Sequence, residues 1–428
     1  MEPSRMDLGD IDLLNLDAFV VGDHHRMFEV LRAEQPVHWS EEPAEDGKGF
    51  WSITKHADLQ MVNRDTTTFS SETGGTQRAD FWDQDEAAAF DTRGVMLVDT
   101  DPPKHTRYRR LVNKGFTPRM IGLLESHLRY RAELIVDEVI ESGSCEFVSD
   151  LAAELPLQAI AEIMGVPQED RRLMFDWSNT MIGAQDPEFN KSGGGEEAQE
   201  AAAQVFAYAN QLAAARREDP RDDIVTTLIN AEIEGEQLSE LEFDMFMLLL
   251  TVAGNETTRN ATASGMDALL RHPDQMAALL AHLDDDAYVS TAIDEVLRWA
   301  TPVLHFRRTA TVDTEIRGQA IAAGDKLLIW HISANRDEEV FADPFAFDIE
   351  RTPNEHVAFG GGGAHYCLGA NLAKIEIEII VREILSRMPD IAAAGETEML
   401  RSNFIGGVKR LPVSFTPGAR KHPAGASV

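Results

Sequence analysis

Hydrophobic residues at helical spacing run along most of the chain, and the longest such segment covers residues 240–271. Ser239 and Glu242 form a capping box at its start, and Pro273 ends the pattern. A continuous helix of about 30 residues would be about 45 Å long, enough to cross the whole molecule. A further helix is predicted over residues 287–299.

A third helix is predicted directly after Cys367, ending before Pro389. Its apolar positions recur at intervals of four, three and four residues, so they share one helix face: Leu368, Leu372, Ile375 and Ile379. Four short segments have the composition of strands: residues 36–40, 50–54, 326–332 and 409–415. We therefore predict a mainly α fold with small β-sheets. The length allows two or three domains, although large single-domain enzymes also reach this size. Residues 418–428 are expected to form a disordered tail.

The composition is that of a globular protein with a strong negative charge. The chain of 428 residues carries 39 Lys+Arg and 73 Asp+Glu, a net charge of −34. Such a chain repels phosphate backbones and anionic lipids, so no nucleic acid is expected as a partner. No signal peptide is visible, and no apolar run approaches the length of a bilayer span. We expect a cytoplasmic protein without a membrane anchor, and a monomer.

The chemistry centres on one of two cysteines, since a pair cannot form a disulfide framework. Cys145 has no notable context, whereas Cys367 follows four consecutive glycines in FGGGGAHYCLG and lies where a helix begins. Glycines let a backbone approach a flat group closely, and the start of a helix favours a thiolate, a strong ligand for haem iron. An inert thiol is the ordinary alternative. A phosphate-binding loop is disfavoured, because no Lys-Ser/Thr pair follows the glycines.

This segment, Phe359–Gly369, resembles the cysteine-ligand loop of the cytochrome P450 superfamily, the haem-thiolate monooxygenases. The family pattern is F-G-x-G-x-H/R-x-C-x-G. Counted from Cys367, the matching residues are Gly361, Gly363, His365 and Gly369. Phe359 lies one position early, as though a glycine were inserted. The same variant is familiar in a bacterial subgroup that includes sterol side-chain and branched-lipid hydroxylases.

The resemblance implies the cytochrome P450 fold as a single domain over residues 1–428, with haem b (iron protoporphyrin IX) between the long central helix and the cysteine loop. Cys367 would be the iron ligand, and Gly361 would lie against the haem. The pair Glu295 and Arg298 looks like the family's E-x-x-R motif, with Arg351 as its third member. Taken alone, such a pair is usually surface decoration. In the family it is structural and holds the loop that precedes the cysteine.

The long predicted helix carries AGNETT, which is similar to the family's oxygen-binding motif A-G-x-D/E-T. The resemblance implies that Ala253 and Gly254 leave space over one haem face. It also implies that Thr257 hydrogen-bonds to the dioxygen substrate while Glu256 relays protons. From the residues alone, a mid-helix threonine more often donates to the carbonyl four residues earlier.

The two haem propionates need cations. The resemblance places His105, Arg109, Arg308 and His365 around them. His105 and Arg109 are one helical turn apart, and an arginine fork can bind both oxygens of a carboxylate. Each residue alone could be a solvated charge.

A basic cluster follows from the same segment: Lys104, Arg107, Arg110 and Lys114. In the family, this side of the haem receives the electron donor, often an acidic ferredoxin. Electrostatic steering would favour docking there. A solvated helix face is the alternative.

The resemblance thus implies a monooxygenase that inserts one oxygen atom from O2 into a C–H bond of an apolar substrate. Electrons would come from NAD(P)H through ferredoxin reductase and ferredoxin. A steroid, sterol or isoprenoid lipid is the expected substrate, with a terpenoid or polyketide as the alternative. A peroxide-driven peroxygenase and a non-catalytic haem sensor or carrier also remain open. The expected pocket residues are Met96, Leu97, Val98, Val252, Val303, Leu304, Phe404 and Ile405.

Overall fold

The computed structural model describes residues 6–43, 49–78, 92–113, 118–189, 191, 196–233 and 236–426. The α-helices in these ranges are α1 (Leu16–Val21), α2 (His24–Glu34), α3 (His56–Arg64), α4 (Lys104–Val112), α5 (Pro118–Val139), α6 (Glu154–Met164), α7 (Arg171–Ile182), α8 (Glu196–Glu218), α9 (Ile224–Ile229), α10 (Glu240–Ala253), α11 (Glu256–Arg271), α12 (Pro273–Ala281), α13 (Asp286–Ala300), α14 (His331–Ala334) and α15 (Ala370–Arg387). The mainly α prediction is confirmed.

The strands are short and form small sheets. They are β1 (Val37–Ser40), β2 (Phe50–Ile53), β3 (Phe69–Ser70), β4 (Ser144–Glu146), β5 (Glu232–Ile233), β6 (Glu236–Gln237), β7 (His305–Ala310), β8 (Thr314–Ile316), β9 (Gln319–Ile321), β10 (Lys326–Trp330), β11 (Ala392–Ala393), β12 (Glu398–Met399), β13 (Val408–Arg410) and β14 (Pro412–Ser414). The largest sheet has the order β1-β2-β10-β7-β3, and its β2–β10 pair is parallel.

The predicted strands 36–40 and 50–54 are confirmed as β1 and β2. The prediction of one strand over residues 409–415 is wrong. The amide of Leu411 donates to the Glu146 carboxylate at 2.7 Å instead of continuing a ladder. As a result β13 pairs with β12, whereas β14 pairs with β11 and β4. The third predicted strand ends at Trp330, where α14 begins.

The predicted continuous helix over residues 240–271 is also corrected, because it is divided into α10 and α11. Its capping box is confirmed: the Ser239 side chain accepts from the Glu242 amide, and the Glu242 side chain accepts from the Ser239 amide. The division falls at Gly254 and Asn255, inside the AGNETT motif. Regular helical structure is therefore interrupted inside the motif to which the sequence analysis assigns oxygen binding.

The main hydrophobic core lies among α5, α6, α10, α11, α13 and α15, with buried residues such as Leu128, Leu157 and Ile377. Removing this much apolar surface from water is the main favourable term in folding. Within the described ranges, no helix is both long enough and apolar enough to span a bilayer.

The Glu295–Arg298–Arg351 network is confirmed as a buried structural element. Arg298 donates to both carboxylate oxygens of Glu295 at 2.7 Å, and Arg351 donates to Glu295 at 3.1 Å. Arg298 also donates to the carbonyls of Asn335, Pro344 and Ala346. One buried guanidinium thus fixes the chain that leads to the cysteine loop.

The segment after Gly418, predicted as a disordered tail, lies against α5 as far as His422. Gly418 donates to the Ile140 carbonyl at 2.9 Å, and the amides of Lys421 and His422 donate to Asp137 at 2.8 Å. The structure differs from the prediction here because a buried carboxylate at the end of α5 binds both backbone amides. Residues 427–428 lie outside the described ranges.

Candidate active site

A cavity of about 250 Å³ is lined by both the α10–α11 junction and the loop before α15. Ala253, Gly254 and Thr257 line it from the junction. Cys367 lines it from the loop 359–369. The structure therefore brings together the two motifs that are more than 100 residues apart in the sequence, at the place where the resemblance puts the cofactor.

The Cys367 side chain is accessible from the cavity but surrounded by protein. This burial raises the pKa of the thiol, while hydrogen bonds from the backbone amides of Gly369 and Ala370 and the charge of Arg109 oppose the rise. The Cys367 amide donates to the Phe359 carbonyl at 3.0 Å, and Phe359 lines the same cavity. The extra glycine therefore does not remove Phe359 from the neighbourhood of the sulfur.

The glycine run lies against α3. Gly360 to Gly363 all have left-handed φ angles, of 102°, 66°, 100° and 84°, which glycine adopts without strain. A Cβ on Gly363 would lie 2.5 Å from the Asn63 carbonyl, and one on Gly361 would lie 3.1 Å from Leu59. Among these glycines Gly360 lines the cavity, whereas Gly361 packs on α3. The expectation that Gly361 lies against the haem stays a prediction.

The four predicted cationic residues, His105, Arg109, Arg308 and His365, all line the cavity. The His105 and His365 rings lie 4.1 Å apart between their centroids. Burial lowers the pKa of His105 to about 4, of His365 to about 2 and of Arg308 to about 10. Among the described residues, His105 Nδ1, His365 Nε2 and Arg308 Nε have no hydrogen-bond partner. Buried polar atoms normally have partners, so this group fits an anionic ligand.

Comparison with known proteins agrees with the resemblance seen in the sequence. The family model described as Cytochrome P450 matches residues 188–389. The steroid C26-monooxygenase of Mycolicibacterium smegmatis is 42% identical over 429 residues, covering 99% of this chain and 97% of that protein. This chain belongs to the cytochrome P450 family. The methyl-branched lipid omega-hydroxylase of Mycobacterium tuberculosis is 42% identical over 423 residues, covering 97% of this P450 and 96% of that protein.

A solved structure agrees. The cytochrome P450 of Mycobacterium marinum in complex with pseudoionone superposes with a TM-score of 0.87 at 35% identity, covering 96% of this chain and 100% of that one. The P450 described here is a monooxygenase with haem b as its cofactor. The residues around the cavity fit that group: a cysteine sulfur at a helix start, and buried donors without partners for two carboxylates.

Thr257 lines the cavity of this P450, but its hydroxyl donates to the Ala253 carbonyl at 3.0 Å. This is the local bond expected of a helical threonine, and such bonds bend helices. The Gly254 Cβ position would meet Ile160 at 2.7 Å. Glycine therefore lets the junction approach Ile160 closely, in addition to any need for space in the cavity.

The Glu256 side chain does not line the cavity, although sequence reasoning groups it with Thr257. It is 1% exposed, accepts a hydrogen bond from Arg259, and accepts from the Ser178 hydroxyl on α7 at 3.1 Å. Burial raises the pKa of Glu256, and the Arg259 charge opposes the rise. The carboxylate thus connects α11 to α7.

Glu376 on α15 is a cavity residue that the sequence analysis missed. It is completely buried, which raises its pKa to about 8, while a hydrogen bond with the Thr258 side chain opposes the rise. A signal was present, because Glu376 lies four residues after Leu372 and three before Ile379. An acid therefore interrupts the apolar face of the third predicted helix.

Three of the eight predicted pocket residues line the cavity: Leu97, Val98 and Val303. Met96 packs in a separate apolar cluster with α8 and α10. The Leu304 amide donates to the Phe404 carbonyl at 2.8 Å, and Ile405 forms an isolated β-bridge with Val303, so the segment around residue 404 packs behind this wall. The other expected residues do not line the cavity either; Leu249, Pro302 and Phe306 do.

The basic cluster is only partly described, because Lys114 lies outside the described ranges. Arg110 is exposed at the end of α4. Lys104 lies 3.9 Å from Glu242 and over the Tyr108 ring at 5.2 Å from its centroid. Part of the charge of this cluster is therefore already paired with α10.

Proposed function

We propose that this P450 hydroxylates a steroid, sterol or isoprenoid lipid. The observation that carries the proposal is the apolar wall formed by Leu97, Val98, Leu249 and Val303. Such a wall favours apolar ligands, because binding removes apolar surface from water. The relatives are named for a steroid and a methyl-branched lipid, which supports the same substrate class.

A ligand titration tests this proposal. Steroids, terpenoids, polyketides and fatty acids are added to the ferric enzyme, and the spin-state shift of the Soret band is followed. We expect the tightest response from a steroid or a branched isoprenoid lipid. Leu249→Asn should weaken that binding about tenfold or more, as burial of a leucine is worth about 1.5–3 kcal/mol. Leu241→Asn, at a 48% exposed position of α10, is the control. A response to polyketides alone would contradict the proposal.

For the cofactor, we assign Cys367 as the iron ligand and His105, Arg109, Arg308 and His365 as the partners of the propionates. Ala253, Gly254 and Gly360 contribute the walls on either side. When bound, haem supplies the redox chemistry that activates dioxygen. The neutral histidines act as donors, and the two arginines supply charge, so the site matches two carboxylates without an unpaired excess of buried cations.

We propose that Thr257 and Glu376 handle protons in the cavity. The Thr257 hydroxyl can rotate from the Ala253 carbonyl toward the dioxygen substrate, since a hydroxyl both donates and accepts. Glu376, with a pKa of about 8, carries a proton near neutral pH and faces the cavity. A group with a pKa near the operating pH is well suited to general acid catalysis.

Glu256 is proposed as a second proton donor, on the side of α7. Its carboxyl group accepts from Arg259 and Ser178, so it must give up one of these bonds to take up a proton, which it then passes toward Thr257. Glu256→Gln should therefore slow turnover while leaving haem binding intact. Turnover equal to that of the unmodified enzyme would contradict this role.

We propose that electrons reach the enzyme from NAD(P)H through ferredoxin reductase and ferredoxin, which docks near α4. Arg110→Glu should slow reduction most at low salt, because exposed charges are screened within about 10 Å at 0.1 M ionic strength. The same effect at all salt concentrations would contradict docking by charge. Equal activity with hydrogen peroxide alone would favour a peroxygenase instead. We also propose that the enzyme works as a monomer in the cytoplasm, which size-exclusion chromatography and cell fractionation test.

A further inference from the structure

Asn63, near the end of α3, contacts two separate parts of the haem site. Its side-chain amide donates to the Gly360 carbonyl at 2.5 Å, and its side-chain oxygen accepts from Arg308 at 2.9 Å. Asn63 is 2% exposed and lines the cavity. A single buried amide thus joins the cysteine loop on one side to a proposed propionate partner on the other.

We propose that Asn63 is a positioning residue that sets Arg308 and the cysteine loop relative to each other, so that haem retention and thiolate ligation depend on the same side chain. The inference rests on the proposed haem contacts of Arg308 and Cys367. It adds a residue that belongs to neither sequence motif.

The guanidinium of Arg308 shows what this contact fixes. One terminal nitrogen donates to the Arg307 carbonyl at 2.7 Å, and the other donates to Asn63. Nε is left without a partner among the described residues. Two anchored nitrogens define the plane of the guanidinium, so the direction of the Nε donor is fixed before a carboxylate binds.

The loop shows why an outside contact is needed. Four left-handed glycines have no side chains with which to hold their own conformation, and glycine loses the most backbone entropy on ordering. The Asn63 amide bonds the first of them, Gly360, and the Asn63 backbone carbonyl lies against the last, Gly363. The end of α3 therefore supports the loop across its whole glycine run.

The Asn63 amide satisfies both contacts because its nitrogen donates and its oxygen, a separate atom, accepts. Aspartate has nearly the same shape and would still accept from Arg308, but as a carboxylate it cannot donate to the Gly360 carbonyl. Asn63→Asp therefore separates hydrogen bonding from space filling, and Asn63→Ala removes both contacts. Asn210→Ala is the matched control: Asn210 also donates to a backbone carbonyl and to a side chain, those of Phe206 and Asp244, and does not line the cavity.

The experiment measures haem content per chain and the rate at which the reduced carbon-monoxide complex loses its red-shifted thiolate Soret band in moderate urea. Circular dichroism follows overall unfolding in the same solutions. We expect Asn63→Ala and Asn63→Asp to lose the band about tenfold faster than the unmodified protein and to retain less haem. Both losses should precede the loss of helical signal, and Asn210→Ala should behave like the unmodified protein.

Two outcomes would overturn the inference. Asn63→Asp behaving like the unmodified protein would mean that Asn63 only fills space. Loss of the Soret band in step with the helical signal would mean that it only stabilises the fold. Failure of the proposed haem site is distinguishable from both, since the unmodified protein would then show no thiolate band at all.

Discussion

A fully buried acid at position 376 makes stability depend on pH in a way that one substitution should abolish. The pKa of Glu376 is raised by burial from the ordinary 4.5 to about 8. Between these two values the folded state holds a proton that the unfolded state has lost, so the free energy of unfolding falls as the pH rises. At about 1.36 kcal/mol per pH unit, the free energy of unfolding falls by about 5 kcal/mol in total, and the whole of this loss is reached above pH 8.

Glu376→Gln keeps the shape of the side chain and removes its titration. We expect the melting temperatures of the two proteins to be similar near pH 5, and the variant to become progressively more stable than the unmodified enzyme toward pH 8.5. The assay is thermal unfolding followed by circular dichroism, on the haem-loaded proteins, at intervals across this range.

The control is Glu378→Gln, two residues further along α15. Its carboxylate pairs with Arg382 at 3.0 Å and is partly exposed, so its removal should shift the melting temperature by a similar amount at each pH. Parallel pH curves for Glu376→Gln and the unmodified enzyme would refute the assignment of a raised pKa to Glu376. The same variant should also slow turnover, if Glu376 donates protons in the cavity.

Two further predictions concern Thr257 and the buried arginine of α13. Thr257→Ala should still oxidise NAD(P)H but release more hydrogen peroxide and less product, because the cavity loses its hydroxyl; equal coupling of electrons to product would count against the proposed role. Arg298→Met should destabilise the enzyme by about 3–5 kcal/mol, since it removes one partner of a fully buried ion pair and leaves three carbonyls without their donor. The check is its melting temperature and haem content, and an unchanged melting temperature would contradict the role of the network.

Local patterns in the sequence predict the fold class, and the resemblance to the family predicts part of the cavity lining. The capping box at Ser239 places the start of α10, and the residues of the cysteine loop place Cys367 at the start of a helix. The four predicted propionate partners come from three separate segments, and the structure brings all of them to one cavity. These features depend on short motifs or on the resemblance to the family.

What the sequence missed depends on contacts between distant segments. The helix is interrupted between α10 and α11 where Asn255 and Glu256 form hydrogen bonds with Ser178 on α7. Hydrophobic periodicity carries no information about such contacts. Gly360 rather than Gly361 lines the cavity because of the way the loop packs against α3. The sequence likewise does not predict which way the carboxylates of Glu256 and Glu376 point, because their neighbours in space decide this.

The central claim is that the Cys367 sulfur, as a thiolate, ligates the haem iron. The most direct measurement is the absorption spectrum of the reduced carbon-monoxide complex, for the unmodified enzyme and for Cys367→Ser. We predict the red-shifted Soret band of a thiolate ligand in the first and its absence in the second. A red-shifted band that survives in Cys367→Ser, or one that is missing from the fully haem-loaded unmodified enzyme, would contradict the account.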